Sequence, residues 1–352
     1  NLLGNVRHFG NTDFTLDSSS EYVYFNSAGG GLAHYPASWS FPLAVVTGLL
    51  LLAYLIYLFR TKRLALGSYL GSLLLFLGIA IAGAAITYWG WQGIKLLHPE
   101  YRWLYHGEVY THSWYLWGFS ALMVGLFVTT YSWVQQKYLS IQQLLAGPFT
   151  IWVLLSLGTA WYLPTASYIF TWPALMALVG WIVLGYRIAK FSWPATALLV
   201  ASLFTVLFLL PPYLYLVQIM MTTQMLAISM LLLILMLGLI WPLLWQIMLD
   251  QNNWWNSGFI TTALACFLIA AAGANYNANH KKQNDISYFQ DLNTKQAYWI
   301  SRDHITDRWT QQFLGSNPTQ GNPPEADILQ NGSYLYQPGQ ISNDLHPKLS
   351  VL

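Results

Sequence analysis

Long apolar runs alternate with short polar breaks along most of the chain. About 20 apolar residues at 1.5 Å rise cross a ~30 Å hydrocarbon core, and eight runs approach that length: Phe41–Phe59, Tyr69–Ile94, Trp114–Val134, Leu144–Leu163, Phe170–Tyr186, Pro194–Leu210, Met225–Met248 and Phe259–Ala274. The pattern predicts an all-α polytopic membrane protein of about eight transmembrane helices. Pro211-Pro212 is expected to end the sixth. Tyr213–Met221 is apolar but short, either an interfacial turn or the start of a longer seventh helix.

Beyond the last run the pattern changes. Ile286–Asp291 and Ala297–Ser301 carry β-favouring Tyr, Phe, Trp and Ile around Leu-Asn-Thr-Lys-Gln, which predicts a hairpin. Thr306 or Asp307 is suited to cap a short helix, Arg308–Leu314, that Gly315 ends. The Pro-, Gly- and Asn-rich stretch that follows reads as an extended loop, too short for its own core. Residues 280–352 are thus expected to be a short α+β stub, the start of a domain. Residues 1–40 form a polar junction and 41–279 the transmembrane helical domain.

Charge sharpens this division. Charged residues make up 8% of the chain, against ~25% in soluble domains. That excludes a soluble globule, a coiled coil and a nucleic-acid binder as whole-chain readings, and no nucleic-acid partner is expected. Residues 41–279 hold 11 of the charges, and their placement sets the orientation. Arg60, Lys62, Arg63, Lys137, Arg187 and Lys190 fall in loops on one side, against Lys95 and Arg102 on the other. The basic side is expected to be cytoplasmic and both tails non-cytoplasmic. Lys281 and Lys282 pull weakly the other way. Twelve tryptophans, among them Trp39, Trp89, Trp91, Trp133, Trp161 and Trp241, fall near run ends, where an aromatic belt is expected.

Candidate chemistry is sparse. The single cysteine, Cys266, allows neither an internal disulfide nor a cysteine metal site. The loop after the second run gathers His98, Glu100, His106, Glu108 and His112. Imidazole and carboxylate suit zinc, so His98, His106, His112 and Glu108 are the candidate ligands. Their spacing matches no helix-face ligand pattern, however, and an interfacial loop accounts for the same residues. No metal, cofactor or catalytic residue is therefore assigned. Asp13, Asp17 and Glu21 read as a solvated linker, Gly29-Gly30-Gly31 as a turn before the membrane, and Asn331-Gly332-Ser333 as a glycosylation sequon. No Asp, Glu, Lys, Arg or His falls mid-run, and Lys95 and Asp250 at run ends are placed to snorkel. This lowers an ion-coupled transporter but leaves a neutral-solute carrier or channel, with Pro148, Pro173 and Pro242 as candidate helix breaks.

A series of short motifs carries a resemblance. Arg7-His8-Phe9-Gly10-Asn11-Thr12-Asp13, Tyr22-Val23-Tyr24-Phe25-Asn26 and His34-Tyr35-Pro36 come first. His98-Pro99-Glu100-Tyr101 through Trp114-Tyr115 and Ser167-Tyr168-Ile169-Phe170 with Trp172-Pro173 follow. The series ends with Tyr288 to Asp291, Gln296-Ala297-Tyr298-Trp299 and Trp309-Thr310-Gln311-Gln312-Phe313-Leu314-Gly315. Taken in order, it resembles the membrane-anchored zinc exopeptidases, of the endoplasmic reticulum metallopeptidase and vacuolar membrane protease type, and their bacterial relatives. The resemblance implies a zinc aminopeptidase domain upstream of Asn1, a multi-span region here and a non-cytoplasmic domain continuing past Leu352. The family's zinc ligands and catalytic Glu would lie in that upstream domain; His8 and His34 match junction positions, not ligand positions. The implied partners are the lipid bilayer, the protein's own peptidase and C-terminal domains, and peptide substrates of the whole protein. The implied location is the periplasmic side of an inner membrane, or the lumenal side of the endoplasmic reticulum or vacuole.

Overall fold

The computed structural model describes residues 7, 21–26, 31–99, 101, 108–184, 193–248, 254–274, 276, 280, 284–291, 295–303, 306–322 and 334–340. A hairpin of β1 (Tyr22–Asn26) and β2 (Leu32–Pro36) leads into the helices. These are α1 (Ser40–Arg60), α2 (Leu66–Leu97), α3 (His112–Lys137), α4 (Ile141–Tyr162), α5 (Tyr168–Leu184), α6 (Trp193–Ser202), α7 (Phe204–Met221), α8 (Leu226–Met248) and α9 (Trp254–Ala272). The tail folds as β3 (Ser287–Asp291), β4 (Gln296–Ser301), a single turn α10 (Gln311–Leu314), β5 (Thr319–Gly321) and β6 (Tyr334–Pro338).

Among the described residues five helices are long and apolar enough to cross a membrane: α1 with its preceding turn, α2, α3, α4 and α8 with the turn before it. They become six if the bent pair α6–α7 counts as one span. α5 and α9 are apolar but shorter. The helices expose Leu49, Leu74, Leu154, Val183 and Leu268 over more than half their surface, which is tolerable in hydrocarbon and unfavourable in water. The chain is an integral membrane protein.

It divides into two compact units. One comprises Asn1–Ala82, Val124–Leu216 and Leu231–Asn256; the other Gly83–Met123, Val217–Met230 and Ser257–Leu352.

In the first unit α1, α4 and α5 pack on one another, and the α4 interior is set by Pro148. Proline has no N–H, so the Leu144 carbonyl four residues back loses its helical donor. Ser72 on α2 fills the gap. Its hydroxyl donates to Leu144 O at 2.7 Å and accepts from Gly147 N at 2.9 Å. A Cβ on Gly147 would stand 2.5 Å from the Ser72 carbonyl oxygen, so only glycine lets α2 approach this closely. Gly238 on α8 likewise leaves room for Phe76 and the Pro148 ring. One turn beyond Pro148, the buried Trp152 donates from Nε1 to Leu235 O at 2.9 Å. On α5, Gly180 admits the Ser202 side chain, which would otherwise lie 2.1 Å from its Cβ.

Two expectations for this unit change. The sixth run does not stop at Pro211-Pro212: α7 continues through both and takes in Tyr213–Met221. Each proline removes one ladder bond, whereas a helix end would strand four carbonyls in hydrocarbon. The interruption comes earlier, at Leu203, where α6 and α7 bend by 48°. The tryptophan belt is also only partly a belt. Trp39, Trp89, Trp133 and Trp161 are exposed, but Trp91 and Trp241 are buried. Trp241 donates from Nε1 to Gln135 Oε1 at 2.6 Å and packs against Tyr131.

The β1–β2 hairpin is seated on α5. Val23, Ala37 and Tyr168 form a small buried cluster. Phe25 stacks on Tyr168 with centroids 5.1 Å apart, and the Tyr35 ring meets Trp172 edge-on at 6.4 Å. The Ser40 hydroxyl donates to Pro164 O at 2.9 Å at the same end.

In the second unit the tail forms an antiparallel sheet of order β3-β4-β6-β5. The expected hairpin is β3–β4. The expected loop after Gly315 instead supplies β5 and β6. It needs no core of its own, because Tyr334 joins Tyr298 and Ile300 in the cluster the hairpin begins. On the other face of β4, Trp299 packs on Phe313 of α10. Asp307 nucleates that turn: its Oδ1 accepts the Trp309 and Thr310 amides at 3.0 and 2.8 Å. Gly315 ends it at φ +70°.

The Pro148 repair has a measurable signature. Ser72→Ala strands the Leu144 carbonyl and the Gly147 amide and is expected to cost about 1–3 kcal/mol. In a Pro148→Ala background, where residue 148 regains its donor, that cost is expected to shrink. Thermal unfolding of the four proteins of this cycle in detergent measures the coupling, and strict additivity would contradict the repair.

Candidate functional site

The richest polar constellation among the described residues lies in the second unit, where the segment between α2 and α3 meets the turn between α7 and α8. It begins with spacing. Glu108 and His112 stand four residues apart, Glu108 just before α3 and His112 at its first position. His112 Nδ1 lies 3.1 Å from Glu108 Oε1 and 3.0 Å from the Val109 carbonyl oxygen. A carboxylate before a helix start is also favoured by the helix dipole.

The second half comes from Thr222, Thr223 and Gln224. Thr222 adopts φ 56°, ψ −179°, a strained conformation for a β-branched residue. It opens a single 3-10 turn, Thr223–Met225, and its Oγ1 accepts the Gln224 amide at 3.4 Å. The turn points the Thr223 amide at the Glu108 carboxyl. It also brings Gln224 Oε1 within 3.1 Å of Lys95 Nζ and 3.4 Å of Trp91 Nε1, both of which donate to it. Trp91 belongs to a buried aromatic cluster with Tyr101 and Tyr115, and Tyr101 donates to the Ala274 carbonyl at 3.3 Å. Packed aromatic rings therefore fix one wall of the site.

Burial pushes the Glu108 carboxyl above its ordinary range, while the His112 ring and the Thr223 amide pull it down without cancelling the effect. Glu108 Oε2 is buried without a hydrogen-bond partner among the described residues, an arrangement a protonated carboxyl tolerates better than a carboxylate.

Of the four candidate metal ligands, the structure brings together only Glu108 and His112. His98 lies instead against Tyr101, ring centroids 5.1 Å apart. His106 lies outside the described residues, as do Glu100, Arg102, Asp13, Asp17, Arg187, Lys190, Asp250, Lys281, Lys282 and the Asn331 sequon. Among the described residues no three His, Cys, Asp or Glu side chains converge. Lys95 does more than snorkel at a helix end: it is tied to Gln224. The sequence reasoning overlooked Gln224 and Thr223. Their one signal was a polar Thr-Thr-Gln triplet inside an otherwise apolar stretch.

The chemistry available here is a carboxyl–imidazole pair that can share or exchange a proton, beside a neutral hydrogen-bond acceptor that holds a lysine. Comparison of the chain with family models, with curated proteins and with solved structures finds no match.

A carboxyl that binds its proton more tightly folded than unfolded stabilises the fold at low pH. That contribution is lost as pH rises through the raised value. The unfolding temperature is thus expected to carry a component that falls as pH rises from about 4.5, the ordinary carboxyl value, towards neutrality. Glu108→Gln keeps the shape and should remove that component. An identical pH profile for the variant would contradict the assignment.

Proposed function

We propose that this chain is the membrane domain of a zinc-dependent exopeptidase of aminopeptidase type, and that it holds the peptidase at the non-cytoplasmic membrane face. The catalytic residues and the zinc belong, in this reading, to a domain outside the chain. The peptidase would use zinc to activate water and polarise the scissile carbonyl. The chain's own contribution is mechanical.

The observation that carries the reading is the docking of two motifs of the resemblance on each other. The junction strands and the Ser167–Trp172 segment are remote in sequence, yet Phe25 stacks on Tyr168 and Tyr35 abuts Trp172. A hairpin seated in this way offers a preceding domain a fixed mount rather than a loose tether. At the other end of the chain, Gln296-Ala297-Tyr298-Trp299 and the Trp309–Gly315 stretch meet through Trp299 and Phe313.

In the same reading α5 and α9 cross the bilayer as short spans, giving eight with α6–α7 counted once. Helices of 17 and 19 residues reach the lower limit for crossing, about 17 residues, and modest bilayer thinning accommodates them. The basic turn after α1 and Lys137 then face the cytoplasm, and both tails face away from it. The neutral-solute carrier is the weaker reading. It needs an open, watered break at a proline, and Ser72, Phe76 and Gly238 close around Pro148.

Two measurements test the proposal. The natural full-length protein is expected to release N-terminal residues from aminoacyl-coumarin substrates, to lose this activity to 1,10-phenanthroline and to regain it with zinc. Absence of a chelator-sensitive activity would overturn the reading. Sidedness is tested separately in a Cys266→Ala background. A membrane-impermeant maleimide should label Thr319→Cys from the non-cytoplasmic side and Lys62→Cys only after permeabilisation. The reverse pattern would overturn the orientation while leaving the peptidase reading to its own test.

A further inference from the structure

The cytoplasmic-type end of α1 carries a feature that the anchoring role does not use. A cleft of about 440 Å³ opens there, within the first unit. Its wall is apolar, from Leu50, Ala53 and Leu58 of α1 and Ile182 of α5, and its mouth is polar, with Tyr57, Arg63 and Gln142. α1 has 21 residues, about the thickness of the hydrocarbon core. Leu50 therefore lies near mid-membrane and Arg63 just beyond the interface. The cleft is as deep as one lipid leaflet.

The mouth is built by a specific turn. The Arg63 amide donates to Leu58 O at 2.9 Å and the Lys62 amide to Phe59 O at 3.1 Å. This is the paired closure that ends many helices with a left-handed residue, usually glycine. Here that residue is Lys62, at φ 55°, where a lysine is less comfortable than a glycine. Gln143 holds the turn from α4, donating from Nε2 to the Arg63 carbonyl at 3.1 Å. Buried Leu58 and Leu64 pack beneath it with Ala146. The guanidinium of Arg63 lies 5.9 Å from the centroid of the Tyr57 ring. Three cations, Arg60, Lys62 and Arg63, thus occupy four consecutive positions at the headgroup level, and all three are exposed.

We infer that this cleft binds an anionic phospholipid of the adjoining leaflet, with the phosphate held by Arg63 and its neighbouring cations and one acyl chain lying along Leu50, Ala53 and Ile182. Charge complementarity selects the occupant: Arg63 lines the mouth, Arg60 and Lys62 stand beside it on the same exposed turn, and the wall beneath carries no charged side chain. Basic pockets between transmembrane helices are suited to anionic lipid headgroups. The inference rests on the membrane embedding alone and is independent of the peptidase reading.

The test is native mass spectrometry of the purified chain titrated with dioleoylphosphatidylglycerol and with dioleoylphosphatidylcholine. Phosphatidylglycerol is expected to be retained about tenfold more tightly or better. Arg63→Ala and Lys62→Gly are each expected to weaken it roughly fivefold. Lys62→Gly should at the same time leave the unfolding temperature unchanged or raised, because glycine suits that backbone, so lost binding is separated from lost folding. Ala53→Trp fills the cleft from an exposed position without altering charge and should abolish the preference. Equal retention of the two lipids would overturn the site, as would unchanged phosphatidylglycerol binding in Lys62→Gly and Ala53→Trp. Displacement of the bound lipid by millimolar inorganic phosphate would reveal a simple anion site and overturn it too.

Discussion

A backbone carbonyl in hydrocarbon must find a donor within the protein, and the packing of the first unit follows from one place where that requirement is hard to meet. Pro148 deprives Leu144 of its donor, and the carbonyl is buried among packed helices. The Ser72 hydroxyl supplies the bond and takes up the Gly147 amide as well. This requires α2 to lie against α4 at backbone contact distance, which requires glycine at 147. Once the two helices are that close, Phe76 reaches Gly238 and the Pro148 ring, and Trp152 reaches a carbonyl of α8. Three helices are thus positioned by one missing N–H. Ser72 and Gly147 weigh little in a hydropathy profile, yet they decide the arrangement.

The second unit meets the same constraint differently. Its turn between α7 and α8 is polar and strained at Thr222, and the strain is offset by what the turn contacts. The Thr223 amide faces the Glu108 carboxyl, and Gln224 accepts from Lys95 and Trp91. These polar groups are held in place by answering one another. A neutral amide acceptor suits Lys95 without burying a second full charge, which would carry its own desolvation cost.

How much of this was legible in the sequence depends on the range of the interaction. Each of the eight apolar runs is mostly helical over its described residues, because apolar length is a local property. The β3–β4 hairpin and the Asp307–Gly315 turn were legible for the same reason, being set by neighbours a few residues away. The passage of α7 through Pro211-Pro212 was not, since it depends on the cost of an alternative helix end in hydrocarbon. β5 and β6 were missed because Pro- and Gly-rich residues join a sheet only when an existing edge, here β4, offers its ladder. At the candidate site Glu108 and His112 were both among the candidate ligands, although their spacing was not read as a pair. Its partners Thr223 and Gln224 could not, being more than a hundred positions away. His98 was grouped with these residues by sequence proximity, but its ring instead lies against Tyr101.

The division of polar labour has a physical consequence. Within the described helices the side-chain bonds that join one helix to another are made largely by Ser, Thr, Tyr, Trp and Gln, for example Ser156 to Thr171 at 2.7 Å, Tyr69 to Thr150 at 3.2 Å and Trp241 to Gln135. The Glu108 carboxyl, held above its ordinary range by burial, stands just before a helix start rather than mid-span. The stability that this carboxyl loses as pH rises bears on the join between Glu108 and the α7–α8 turn.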